Sequence, residues 1–220
     1  MFKNIAAVAC VLALSACAST KTLRVDTTGM QAAGYRSITV TKREKPSFIA
    51  ATAGKAAIGG IIGMTAMVVA GNNIVRENAV DDPAGYIADQ LATALSAKLG
   101  IEKQDNAGKL ATSPKPLVLS AAYAAADLVL DVQTVNWSFG YFPSDWNNYR
   151  VNYSAKVRLV DTRSKKMVAE GFCSRIPEKS ADAPSRNQLL ADGAARLKSE
   201  LKIAADHCIS QFSSNVLGLR

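Results

Sequence analysis

The chain has 220 residues, of which 49% are hydrophobic and 20% charged, enough apolar material for a core and a balance that argues against a disordered chain. Lys and Arg number 26 against 18 Asp and Glu, so the net charge is +8 and anionic neighbours are favoured. No nucleic-acid recognition motif accompanies that charge, and a single histidine leaves little from which to build a metal centre.

Residues 1–16 read as a signal peptide: Lys3 supplies the basic start, Ile5 to Leu14 the apolar run, and small residues lead up to Cys17. The run is about half of the ~20 residues that a membrane span needs. Leu14-Ser15-Ala16-Cys17 resembles the lipobox of bacterial lipoproteins. The resemblance implies a diacylglyceryl thioether on Cys17, cleavage between Ala16 and Cys17, and an acylated new amino terminus. In the enteric lipoproteins that the pattern resembles, Asp in the next position retains the protein in the inner membrane. Here that position is Ala18, which points to the outer membrane, with the domain facing the periplasm. Export also removes nucleic acid as a partner. Without Lys3, 25 basic side chains face 18 acidic ones, so lipid headgroups, lipopolysaccharide or peptidoglycan carboxylates are the expected anionic contacts.

Residues 17–34 are expected to form the lipidated N-terminus and a tether, because Thr20, Thr22, Thr27, Thr28 and Gly29 interrupt any periodicity. Fully extended, Ala18 to Gly34 reach at most about 60 Å. Residues 35–220 are expected to be a single domain. Its first strand is Tyr35 to Arg43, where Ile38 and Val40 alternate with Ser37, Thr39 and Thr41.

Segment 48–80 is rich in Gly and apolar residues, and Ala56 to Val75 carry no charge. Gly59 and Gly63 form a small-xxx-small step that Gly71 continues, a spacing at which helix backbones approach closely; Gly60 adds to it. As one helix, Ala56 to Gly71 would be about 24 Å long, marginal for a span. Three readings stay open: a buried helical hairpin, a seam between copies of the chain, and an insertion into lipid. Gly54-Lys55 does not make a phosphate loop, since Ile49 replaces the first glycine and Ala56 the required Ser or Thr.

Asp82 and Pro83 start the next helix, Ile87, Leu91, Leu95 and Leu99 form its apolar stripe, and Gly100 ends it. Residues 101–116 are expected to be a connection, and Leu117 to Ala125 fit either a short helix or a strand start. A three-stranded meander follows. Asp127 to Trp137 is its central strand; Val151, Tyr153, Ala155, Val157 and Leu159 alternate with Arg150, Asn152, Ser154, Lys156 and Arg158 in the second; Met167 to Arg175 is the third. The basic face at Arg150, Lys156 and Arg158 reads as a solvated face or an anionic contact. Between the first two strands lie Trp137, Phe139, Tyr141, Phe142, Trp146 and Tyr149, either cross-strand packing or a partner surface.

Ser185 and Gln188 have capping-box spacing at the start of the longest helix, whose stripe runs through Leu190, Ala194, Leu197, Leu201, Ala204, Cys208 and Phe212. The expected class is α+β: a single mainly antiparallel sheet, made of the first strand and the meander, with helices on one side and a glycine-rich apolar helical segment. This element order loosely resembles the periplasmic domains of transport-auxiliary and secretion-accessory lipoproteins, and the glycine-rich insert resembles that of surface-exclusion lipoproteins. Neither resemblance transfers a functional residue. Cys173 and Cys208 both point into the strand–helix interface of this fold, where an oxidising compartment would bridge them; two separately buried thiols are the alternative. His207 stands beside Cys208 without further ligands or a nucleophile elbow, and Asp81-Asp82 read as helix-start residues. The expectation is therefore a non-catalytic assembly or transport accessory without cofactor or metal, which binds an envelope protein or lipid. The alternative is a cell-envelope enzyme using carboxylates.

Overall fold

The computed structural model describes residues 22–106, 108–179 and 181–219, so the signal segment and Cys17 lie outside the described residues. The elements in chain order are α1 (Thr27–Ala32), β1 (Ser37–Val40), β2 (Ile49–Ala50), α2 (Ala53–Ile58), α3 (Gly60–Glu77), α4 (Pro83–Leu99), β3 (Glu102–Gln104), α5 (Pro116–Ala122), β4 (Leu128–Phe142), β5 (Asp145–Asp161), β6 (Lys166–Arg175) and α6 (Arg186–Asn215).

The expected meander is present and dominates the sheet. β4 and β5 pair antiparallel from Leu128↔Asp161 to Phe142↔Asp145, and β6 continues antiparallel on β5. β1 lies parallel against Leu128–Leu130, while the short β2 lies parallel against Ser138–Phe139, so the two strands follow one another along a single edge of β4. β3 pairs parallel with β1 in the stretch expected to be a connection. The parallel part of the sheet thus comes from β1 and from two strands of two and three residues, the latter two too short to display an alternation.

Alternation along β4 and β5 separates the two faces. Leu128, Leu130, Val132 and Leu159 enter the main core beside the buried side chains of α4 and α6. Val129 and Val160 point the other way, into a small cluster with Leu119 and Tyr123 of the α5 region. α4 starts as expected: Asp82 accepts the Ala84 N–H at 3.0 Å, Pro83 occupies the first turn and Gly100 closes the helix in the left-handed region. α6 carries its capping box, with Ser185 Oγ accepting from Gln188 N–H and Gln188 Oε1 from Ser185 N–H. The stripe is nevertheless out of phase at its start. The backbone leaves helical geometry at Ala191–Ala194, with positive φ at Asp192, Gly193 and Ala194, so Leu189 rather than Leu190 is fully buried.

The expected tether is shorter than residues 17–34. Leu23 exchanges backbone hydrogen bonds of 2.8 and 2.9 Å with Glu170 of β6, Val25 N–H donates to Val216, and Met30 of α1 is buried in the core. Apolar Leu23, Val25 and Met30 recur with no fixed period, and for that reason the polar residues between them masked a docked segment.

Cys173 and Cys208 form a disulfide, with Cα atoms 5.5 Å apart, that ties β6 to α6. A separation of 35 residues gives a chain-entropy stabilisation of about 3 to 4 kcal/mol. Reduction, or replacement of both cysteines by serine, is expected to lower the stability by about that amount. Urea unfolding with and without reductant measures it; an unchanged midpoint would mean that the bridge does not form in the isolated protein.

Candidate functional site

The aromatic group between β4 and β5 belongs mainly to the core. Phe48, which precedes β2, meets Trp137 edge-on at 5.0 Å and Phe139 at 5.8 Å, and Phe139 continues to Tyr149 at 5.7 Å. Trp137 Nε1 donates to the Pro46 carbonyl at 3.1 Å, which satisfies its one polar atom. Trp137, Phe139, Phe142 and Tyr149 are buried and Tyr141 is half-buried, so these five have little surface to offer a partner. Burial follows from the strand pleat: alternate residues face the α2–α3 side, where Phe48 enters. Trp146, the second residue of β5 just past the turn from β4, is 65% exposed. Next to it the Lys179 ammonium, 2.8 Å from Asp145, holds that carboxyl down at about 2.

The glycine-rich segment is a helical hairpin, but it is not buried. Gly59 and Gly60 have positive φ and separate α2 from α3, so the continuous helix from Ala56 to Gly71 does not form. A Cβ on Gly63 would stand 2.7 Å from the Lys55 carbonyl oxygen, and one on Gly71 only 2.0 Å from that of Phe48. The close approaches that these two glycines permit are therefore made within the chain, against α2 and β2. Asn72 completes the second contact by accepting the Phe48 N–H at 2.9 Å. With glycine on the inward row, the large side chains point outward. Ile61 is 85% and Ile62 74% exposed, and Ile58, Met64 and Val69 are exposed as well. Among the described residues no helix is long and apolar enough to cross a membrane.

The expected basic sheet face is neutralised from within. Asp131, with no solvent exposure, accepts from Arg43 Nε at 2.6 Å, Arg43 Nη2 at 2.9 Å, Arg158 Nη1 at 2.8 Å and Thr41 Oγ1 at 2.7 Å. Arg158 and Lys156 also reach Glu170, at 3.3 and 3.1 Å. Arg150 donates to the Pro177 carbonyl and lies over the Phe142 ring. These cations are held by partners inside the chain, and only the lone carboxylate within the apolar run Leu128 to Val132 hinted at the cluster.

Three clefts, of about 430, 500 and 330 Å³, meet at Asp82. Asp82 Oδ1 accepts from the Thr134 hydroxyl, and Thr134 Oγ1 is 2.9 Å from the hydroxyl of buried Tyr153, so a chain of hydrogen bonds runs from the cleft junction into the core. Burial raises the Asp82 pKa; the bonds from Thr134 and Ala84 and the charge of Lys45 oppose it. Burial likewise pushes the Tyr153 phenol up. Lys45 donates to the Val80 carbonyl at 2.9 Å, and Lys202 joins Asp206 at 2.7 Å beneath Tyr86. The helix-start role of Asp82 was legible in the sequence; the relay was not, because it depends on the β4–β5 register, where Thr134 pairs with Ala155 beside an irregularity and its hydroxyl reaches Tyr153 two residues along. His207 is exposed, and its neighbour Cys208 is taken up in the disulfide. No metal-binding group of three His, Cys, Asp or Glu occurs among the described residues.

No protein-family model matches the chain, and no curated protein matches it in sequence. Solved structures of similar arrangement include a bacterial lipoprotein, GNA1162 from Neisseria meningitidis, at 17% identity and a TM-score of 0.36, covering 81% of this chain and 99% of that one. The PelC dodecamer from Paraburkholderia phytofirmans aligns at 12% identity and a TM-score of 0.39, over 90% and 97% of the two chains. Protein XCC0632 from Xanthomonas campestris aligns at 11% identity and a TM-score of 0.38, over 82% of this chain and 87% of that one. Likeness at this level assigns the chain to none of them.

Two substitutions probe the buried polar groups. Asp131→Ala strands Arg43 and Arg158 without their carboxylate and is expected to cost about 3 to 5 kcal/mol, read from urea unfolding. Asp82 works in the opposite sense. Its folded pKa lies above the ordinary 3.8, so its contribution is fully present below that value and is lost as pH rises through the folded pKa. Asp82→Asn keeps an acceptor for Ala84 and removes the charge. The variant is expected to be more stable than the wild type near about pH 7, with the difference shrinking towards about pH 4. A difference that does not vary with pH would refute the assignment.

Proposed function

We propose that this protein is a lipid-anchored, non-catalytic accessory of the bacterial cell envelope, held at the outer membrane by Cys17 and working through contact with a protein or lipid. The observation that carries the reading is the tip of the α2–α3 hairpin, where Ile58, Ile61, Ile62, Met64 and Val69 stand exposed in a stretch without charge. Isolated exposed isoleucines are ordinary on a protein surface; a contiguous group at the tip of a projecting hairpin favours a partner. The lipobox supplies the anchor, since two or three acyl chains hold a protein stably where one does not. Around the clefts, Asp82, Lys45 and Lys202 are engaged in capping and pairing, roles that serve the fold.

A second reading, an envelope enzyme, draws on one observation: Asp82 is a carboxyl with a raised pKa at the junction of three clefts. Asp82→Asn separates the two. An accessory keeps its cellular phenotype in that variant, whereas an enzyme with Asp82 as its acid or base loses it while remaining folded.

Lipidation is tested by metabolic labelling with a fatty acid and separation of the two membranes. The wild type is expected to be labelled and to sediment with the outer membrane, and Cys17→Ser to accumulate as a larger, unlabelled precursor. Label that survives Cys17→Ser would place the anchor elsewhere and overturn the reading.

A further inference from the structure

We infer that the α2–α3 tip is a membrane-docking surface, which dips into the bilayer that carries the protein's own acyl chains. The choice of occupant rests on the lipid-anchor reading above; the surface itself does not.

The tip and the turn between β4 and β5 lie at the same end of the sheet. β2 runs parallel to β4, so the chain leaves Ala50 in the direction of that turn, and Ala51 lies against Gly140 near the end of β4. α2 continues outward and α3 returns, Gly63 passing Lys55 and Gly71 reaching Phe48. Beyond these contacts stand Ile58, Ile61, Ile62 and Met64, all exposed. Trp146 is exposed at the neighbouring turn, and an indole with its N–H turned to a carbonyl suits the boundary between headgroups and acyl chains.

Charge separates lipid from a purely apolar partner. Lys55 lies in α2 where Gly63 passes it, and Arg186 follows Ser185, which bridges to Asn148 near the start of β5, so two cations stand at the tip's end of the sheet; burial and then the charge of Arg186 lower the Lys55 pKa. Anionic headgroups would relieve that repulsion while the isoleucines enter the acyl region, the usual division of labour at an interfacial insertion. Crossing the bilayer is outside its means, because no described helix is long and apolar enough.

The length of the leash gives the third argument. Leu23 is docked on β6, so six residue steps separate it from Cys17, at most about 20 Å of chain. Antiparallel pairing of Leu23 with Glu170 directs the chain, read backwards through Thr22, towards the Arg175 end of β6. That is the end from which the hairpin projects. Leu23 is level with Glu170, Arg158 and Asp131, about 36 Å of strand from the turn beside the tip, which is more than the leash can span, so acyl chains and tip meet one bilayer with the sheet inclined along its surface.

The test places an environment-sensitive dye on Ile62→Cys, or on Lys166→Cys at the opposite end of the sheet as a control. The bridged Cys173 and Cys208 do not compete for the label. Lipidated mature protein is reconstituted into phosphatidylglycerol-containing vesicles with brominated acyl chains. The dye at position 62 is expected to shift to the blue and lose most of its emission to bromine, with no change at 166, and Ile61→Asp should restore the emission. Equal, water-like emission from both positions would overturn the inference. So would a blue shift at 62 that bromine does not quench and that disappears on dilution, the signature of a seam between copies. Mass spectrometry of the same preparation reports the acyl chains on Cys17. If they are absent the lipid-anchor reading fails, and bromine quenching of the unlipidated chain added to the vesicles still upholds or overturns docking by the tip.

Discussion

The antiparallel ladder between β4 and β5 is the constraint on which the other elements depend. Strands of 15 and 17 residues are about three times the usual length, and both edges of such a ribbon must be covered. One short strand cannot cover the outer edge of β4, so β1 and β2 share it in succession. The segment between them, with Arg43, Lys45 and Pro46, is consequently drawn across the sheet, where it binds Asp131, Val80 and Trp137. Register is pinned at two points. A slip of one residue would carry Asp131 to the apolar face and Trp137 away from Phe48.

This dependence explains what could be read from the sequence. The meander, α4 and the capping box of α6 were legible because each is set by local periodicity or by a cap within four residues. β2 and β3 were not, since two or three residues show no period and are strands only because an edge awaits them. The docked segment from Leu23 to Met30 escaped for the same reason. α6 was read with its stripe one residue off at the start, because the break at Ala191–Ala194 resets the helical phase and nothing but Gly193 announces it. In the candidate site, two of the three open readings implied an exposed α2–α3 tip, and setting aside the buried hairpin needed the partners of Gly63 and Gly71. Asp131 and Asp82 were both visible as carboxylates, yet their partners come from strands and loops tens of residues away.

The glycine-rich hairpin makes sense as an exchange of faces. Helices normally bury large side chains and expose small or polar ones. In α3, Gly63 and Gly71 occupy inward positions and let backbone meet backbone, so Ile61 and Ile62 have no core to enter, while Ile74 near the end of the helix does. Each helical glycine costs about 1 kcal/mol relative to alanine, which the close contacts with α2 and β2 and the Asn72 hydrogen bond offset. A core helix gains nothing from this arrangement. A docking helix does, because rigid attachment and an apolar outer surface are obtained together.

Anchor and tip would also act on one another through distance. A weakly inserting hairpin on a free domain spends most of its time in solution, since a few exposed side chains bury little area. With an acylated Cys17, a leash of about 20 Å would raise its effective concentration at the bilayer to about the millimolar range, where weak insertion would become persistent. The same leash sets orientation. Acyl chains alone would leave the domain free to roll about Cys17, whereas a second contact from a rigid hairpin braced on β2 would remove that freedom and incline the sheet along the membrane, because Leu23 joins β6 about eleven strand residues from the turn beside the tip.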